Sequence, residues 1–110
     1  MNERRQTRRA PLGDFVTAIH RDQAMLCLGT DVSENGIFLR SAGSVERRLN
    51  AQQGPIVVSF QLPDSDRILW ACGRPHRRGD GCDGDGTALT FTYVPDRTKA
   101  HLRAYAERAA

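Results

Sequence analysis

Pro55-Ile56-Val57-Val58-Ser59-Phe60-Gln61-Leu62 decides the fold class. After the proline, Ile56, Val58, Phe60 and Leu62 alternate with Val57, Ser59 and Gln61, the two-residue period of a strand with one face in a core and the other toward water. The same period recurs on both sides. Phe15, Thr17 and Ile19 share a face within residues 15–20, and residues 24–28 form a short apolar run. Residues 37–40 follow a turn at Glu34-Asn35-Gly36; Ile68, Trp70 and Cys72 then alternate, as do Leu89, Phe91 and Tyr93. Six short strands punctuated by Gly, Asn, Asp and Pro predict an all-β fold, a six-stranded antiparallel β-barrel, rather than alternating βαβ units. On this reading Phe15, Phe60, Trp70, Phe91 and Tyr93 belong for the most part to the core.

The period changes at the C-terminus. Pro95-Asp96 reads as a helix start with Asp96 as N-cap, and Thr98, Leu102, Tyr105 and Ala109 fall on one stripe, so a helix over about 96–109 is predicted to pack on the barrel. The polar stretch 42–54, including Val45 to Leu49, reads equally as a helical turn or a loop, and the glycine-rich segment 79–86 as a solvated turn. A chain of 110 residues is one domain's worth. Pro11-Leu12-Gly13-Asp14 looks like a breaker, which divides the chain into an N-terminal arm over 1–12 and a barrel with its helix over 13–110.

Hydrophobic residues make up 39% and charged residues 26% of the sequence, which excludes a fully disordered or collagenous chain. No apolar run is long enough for a signal peptide or a membrane-spanning helix, so the expected compartment is the cytoplasm. The net charge of +3 is localised: Arg4, Arg5, Arg8 and Arg9 face only Glu3 within residues 1–12, and the other 98 residues carry twelve charges of each sign. A basic, almost apolar-free arm is expected to be mobile and suited to an anion.

Enzymatic chemistry finds little support. His20, His76 and His101 fall on three different elements, with no neighbouring Ser, Cys or Asp in a nucleophile motif. Cys27, Cys72 and Cys82 are odd in number and read as reduced thiols. Zinc ligation by Cys72, His76 and Cys82 would need a sharp bend, because positions 72 and 76 of a continuous strand stand roughly 13 Å apart and zinc ligands lie ~2.0 to 2.3 Å from the metal. Cys72 reads instead as a core residue and Cys82 as a loop residue. Asp80, Asp83 and Asp85 resemble a calcium loop, but counting that loop from Asp83 puts Thr87 at its fifth position and Val94 at its twelfth, so the required carboxylates are missing.

Two polar clusters at strand edges stand out: Arg5-Gln6-Thr7-Arg8-Arg9 before the first strand, and Asp31-Val32-Ser33-Glu34-Asn35-Gly36 between the second and third. An arginine fork matches the O6 and N7 acceptors of guanine or two oxygens of a phosphate. Asp31 is suited to accept from guanine N1 and N2, Ser33 to bond a phosphate or a base, and Gly36 to let the backbone turn beside a ligand.

Arg5-x-x-x-Arg9 followed by Ala10-Pro11-Leu12, then Asp31-x-Ser33-x-x-Gly36 and the strand Ile37-Phe38-Leu39, resembles the PilZ domain, and the resemblance runs over nearly the whole chain. It implies a six-stranded barrel that binds cyclic di-GMP, a bacterial second messenger, with Arg5, Arg9, Asp31, Ser33 and Gly36 at the signature positions. Arg4 and Arg8 satisfy the same arginine spacing and stand as possible further ligands; an arginine at position 4 goes, in this family, with a stacked ligand dimer, so one or two molecules per chain are implied. With no catalytic group beside the site, the expected output is an adaptor's contact with a protein partner and not catalysis. The rival reading is a small nucleic-acid-binding barrel with its arm on phosphates, which would need exposed aromatics for base stacking.

Overall fold

The computed structural model describes residues 9–21, 23–40, 55–76 and 86–109. Six strands, β1 (Ala10–His20), β2 (Gln23–Ser33), β3 (Gly36–Arg40), β4 (Ile56–Gln61), β5 (Ile68–His76) and β6 (Thr87–Tyr93), close into an antiparallel barrel in the order β1-β2-β3-β6-β5-β4. The helix α1 follows at Asp96–Ala109. The stretches 42–54 and 79–85, and with them Cys82 and the aspartates 80, 83 and 85, lie outside the described residues, as do Arg4, Arg5 and Arg8.

β4 behaves as its alternation predicts, burying Ile56, Val58 and Phe60, with Leu62 buried just beyond it. The faces of β1 and β5 are the reverse of the sequence expectation. Val16 and Ala18 point inward on β1, and Leu69 and Ala71 on β5, while Phe15, Ile68 and Trp70 stand exposed and Cys72 is half-buried. The interior explains the reversal. One inner row runs Met25, Ala18, Val58, Ala71 across four strands, and a six-stranded barrel is too narrow there for a ring system. Of the five aromatics assigned to the core, Phe60 is buried and Phe91 is half-buried against the core cluster, whereas Phe15, Trp70 and Tyr93 are on the surface.

β1 starts at Ala10, so Pro11-Leu12-Gly13-Asp14 lies within the strand instead of breaking it. The ladder passes from Pro11 opposite Asp31 to Asp14 opposite Gly29, two residues of β1 facing one of β2. Gly13 takes the extra place at φ +63°, a left-handed conformation that glycine adopts without a Cβ clash. The proline and glycine that signal a break thus mark a bulge.

Helix α1 buries Thr98, Leu102 and Tyr105 against the barrel; Ala109, expected on the same stripe, is exposed. The Lys99 amide donates to the Pro95 carbonyl at 2.9 Å, so Pro95 holds the cap position and Asp96 lies in the first turn, where its charge suits the helix dipole. Thr98 donates its hydroxyl to the Trp70 carbonyl at 3.0 Å, and Arg108 meets Asp64 with Nε 2.8 Å from Oδ2. No described helix is long and apolar enough to cross a membrane.

Candidate functional site

Regular alternation along β2, with Met25, Cys27 and Gly29 inward, would turn Asp31 into the core. A bulge prevents this: the β2–β3 ladder steps from Gly29 opposite Leu39 to Asp31 opposite Phe38, leaving Thr30 without a place of its own. Thr30 and Asp31 therefore both lean outward, and Val32 returns to the core at 1% exposure. The Thr30 hydroxyl donates to the Phe38 carbonyl at 3.3 Å and holds the bulge. An aspartate in an apolar strand is brought to the surface without desolvating its charge.

Asp31 faces the start of β1. Pro11 is its cross-strand partner, and Arg9, two residues before Pro11, donates from Nη1 to Asp31 Oδ1. The remaining guanidinium N–H groups of Arg9 are open to solvent on one side, since the side chain is more than half exposed. An acceptor-only carboxylate and a donor-only planar fork thus stand side by side.

Ser33 and Gly36 close the β2–β3 hairpin around Glu34-Asn35. Ser33 is 4% exposed, and its Oγ accepts from the Asn35 amide at 3.1 Å, a side-chain turn of the kind serine favours. The Asn35 carbonyl accepts from the Phe91 amide at 2.8 Å, which ties the turn to β6. At Gly36, opposite Thr90, an added Cβ would stand 2.4 Å from the Leu89 carbonyl oxygen. The glycine is required by the close approach of β6, a constraint that the sequence does not display.

Of the residues expected at the site, the structure gathers Arg9, Asp31, Ser33 and Gly36 along one edge of the β1–β2–β3 sheet. Sequence reasoning missed the helix's part. Arg103 on α1 holds Glu34 through Nε and Oε1 at 2.8 Å, and Lys99, one helical turn earlier, shares with it a cleft of about 430 Å³ beside Asn35 and Thr92. The i, i+4 spacing of Lys99 and Arg103 was the available signal, but on a helix it more often marks a solvated face. Tyr105 donates its hydroxyl to the Pro11 carbonyl, so α1 touches both the turn and the start of β1. Burial, and secondarily the charge of Asp64, pushes the Tyr105 phenol above its ordinary value.

Among the described residues no group of three or more His, Cys, Asp or Glu side chains is arranged to hold a metal ion.

Among curated proteins none matches this sequence. Solved structures do. The Bacillus subtilis inhibitor of motility, MotI/DgrA, superposes with a TM-score of 0.76 at 18% identity, over 97% of this chain and 51% of that one. The Borreliella burgdorferi PlzA protein, solved in complex with c-di-GMP, gives 0.61 at 13% identity, over 88% of this chain and 38% of that one. An uncharacterized Legionella protein, Lpg0364, gives 0.55 at 16% identity, over 91% of this chain and 90% of that one. The chain spans about half the length of the first of these and less of the second, and at such identities the likeness is one of fold. The sequence itself is matched by the family model of the PilZ domain across residues 3–108, nearly its whole length, and the chain belongs to the PilZ domain family.

Proposed function

We propose that the chain is a receptor for cyclic di-GMP. The observation that carries this reading is the pairing of Arg9 with Asp31 on the bulged edge of the barrel, next to the Ser33–Gly36 turn. Each offers guanine its complement: the arginine fork donates to O6 and N7, and the carboxylate accepts from N1–H and N2–H. Family membership and the PlzA complex support the same ligand.

In the proposed mechanism the residues up to Arg9, ahead of β1, act as an arm. Arg5 joins Arg9 in gripping a guanine or phosphate, Arg4 and Arg8 are available for a second ligand molecule, and the arm orders over the edge that Asp31, Ser33 and Gly36 define. The Arg9–Asp31 pair holds the last residue of the arm in place beforehand, so less freedom is lost on binding. Ordering creates a surface for a protein partner, and the chain serves as an adaptor in the bacterial cytoplasm, not as an enzyme. Calorimetric titration with cyclic di-GMP, beside cyclic di-AMP and GTP, tests the reading. Binding of cyclic di-GMP alone is expected, with Arg9→Ala weakening it roughly five- to 150-fold if a bidentate contact contributes ~1–3 kcal/mol. No heat from cyclic di-GMP, or an Arg9→Ala protein that binds like the parent, overturns it.

The surface positions of Phe15, Trp70 and Tyr93 supply the exposed aromatics that a nucleic-acid-binding barrel would need. Among the described residues their cross-strand rows carry a single basic residue, Arg40 opposite Leu28, whereas single-strand binding requires stacking rings within a positive groove. This arrangement favours the nucleotide receptor.

A further inference from the structure

The outer face of β2-β1-β4-β5 sets large apolar side chains around the polar but uncharged Thr17, Ser59 and Gln61. One outer row runs Leu26, Thr17, Ser59, Trp70, each residue directly opposite the next. On one side of it Phe15 pairs with Leu28 and Ile68 lies beside Gln61; on the other Ile19 pairs with Val57. None of these positions is charged. Ile68 is 70% exposed, Phe15 64% and Leu26 62%, while the inner row beneath is built of Met25, Ala18, Val58 and Ala71. The larger side chains are thus outside. A sheet with water on one face alternates apolar with polar, whereas uninterrupted runs such as Met25-Leu26-Cys27-Leu28 and Ile68-Leu69-Trp70-Ala71-Cys72 belong to strands covered on both faces.

We propose that this face is covered by a second copy of the chain in a two-fold dimer. Three facts select that occupant. A face without charges sets no like charges against each other when it meets itself, and it offers an unlike partner no charge pattern to read. The area is of the right size. At ~150–200 Å² for each fully exposed side chain, the six exposed large apolar residues leave on the order of 600 Å² per chain, at the upper limit for a monomer's largest patch. Two copies then bury on the order of 1,200 Å² from these side chains alone, which reaches the range of specific interfaces. The layout is also two-fold compatible. Bulky clusters lie on both flanks, Phe15, Leu26 and Leu28 on one and Ile68, Trp70 and Tyr93 on the other, with the smaller Thr17 and Ser59 between them. An axis through that seam sets the first cluster of one copy on the second cluster of its partner. Arg40, opposite Leu28, and the exposed Arg67 and Arg74 lie on the border, as a charged rim requires.

Sedimentation equilibrium and the emission of Trp70, the chain's single tryptophan, test the proposal. From low to high micromolar concentration the mass is expected to rise from 12.2 kDa to twice that value, with Trp70 emission moving to shorter wavelength in parallel. Leu26→Glu is expected to hold the chain at monomer mass with concentration-independent emission and an unchanged circular dichroism melt. If that variant melts early, Ile68→Lys on the other flank carries the same expectation. A parent that stays monomeric throughout, or folded variants that still dimerise, overturns the proposal, as does an unlike protein binding this face in preference to a second copy. Cyclic di-GMP titration of the same monomeric variants keeps this test separate from the receptor reading.

Discussion

The hydroxyl of Tyr105 on helix α1 donates to the carbonyl oxygen of Pro11, two residues after Arg9 on the strand that bears the candidate ligand arm. The helix therefore fixes the point from which the arm departs. Further ties run from Thr98 to the Trp70 carbonyl, from Arg103 to Glu34 in the signature turn and from Arg108 to Asp64.

Tyr105→Phe removes that hydrogen bond and leaves the ring in place. A loss of about 0.5–1.5 kcal/mol in chemical denaturation is expected, the net worth of one neutral hydrogen bond. The phenol also predicts an alkaline response. Its pKa in the folded chain lies above the ordinary 10.0, so with rising pH the unfolded chain releases this proton first and stability falls from about pH 10 upward. Below that pH both states hold the proton and the contribution is complete. Denaturant midpoints measured across alkaline pH should decline less steeply in Tyr105→Phe than in the parent.

Gly36→Ala separates architecture from ligand contact. The added methyl would meet the Leu89 carbonyl oxygen at 2.4 Å, and a backbone oxygen in a ladder cannot move aside as a flexible side chain can. Strand β3 must shift from β6, with an expected loss of about 1–3 kcal/mol of unfolding free energy in chemical denaturation even without any ligand. Stability equal to the parent's would show that β3 and β6 have room for a methyl group at position 36.

Cys27 and Cys72 should differ in reactivity. Cys27 is buried, and desolvation pushes its thiol above the ordinary 9.0, whereas Cys72 lies half-buried on the outer face. At low micromolar concentration, where the chain is expected as a monomer, an aromatic disulfide reagent at neutral pH is expected to modify Cys72 readily and Cys27 only as the chain unfolds. Comparing Cys72→Ser with Cys27→Ser in a background lacking Cys82 isolates the two rates.

The two-residue period of residues 55–62 and its recurrence along the chain carried the barrel and its six strands, and the stripe that starts at Thr98 carried the helix, because each is a local pattern. Which face of β1 and β5 points inward was not legible. Both faces of Ile68 to Cys72 are apolar, and the choice rests on the narrow interior shared with Ala18 and Val58 on other strands. The bulge at Thr30 escaped for the same reason: it appears only when β2 is laid against β3. Asp31, Ser33 and Gly36 were visible as a motif, but the burial of Ser33 and the steric need for Gly36 depend on Asn35 and Leu89. Arg103 entered the neighbourhood of the site through the packing of α1, which no spacing within the helix specifies.

Asp31→Asn is the sharpest separation of stability from binding. The Arg9–Asp31 pair is solvent-exposed, and such pairs contribute only ~0–1 kcal/mol to folding, so the variant should unfold within that margin of the parent. Its carboxylate is nevertheless the acceptor proposed for guanine N1–H and N2–H, and an amide of the same shape loses the charge and turns a donor toward one of those hydrogens. Affinity for cyclic di-GMP is expected to fall roughly five- to 150-fold by calorimetry, the equivalent of ~1–3 kcal/mol. Asp64→Asn is the matched control: it too breaks a partly exposed ion pair, with Arg108, and should change stability by a similarly small amount while leaving the affinity alone. Equal losses of affinity in the two variants would mean that surface charge at large draws the ligand, and would remove Asp31 from the site.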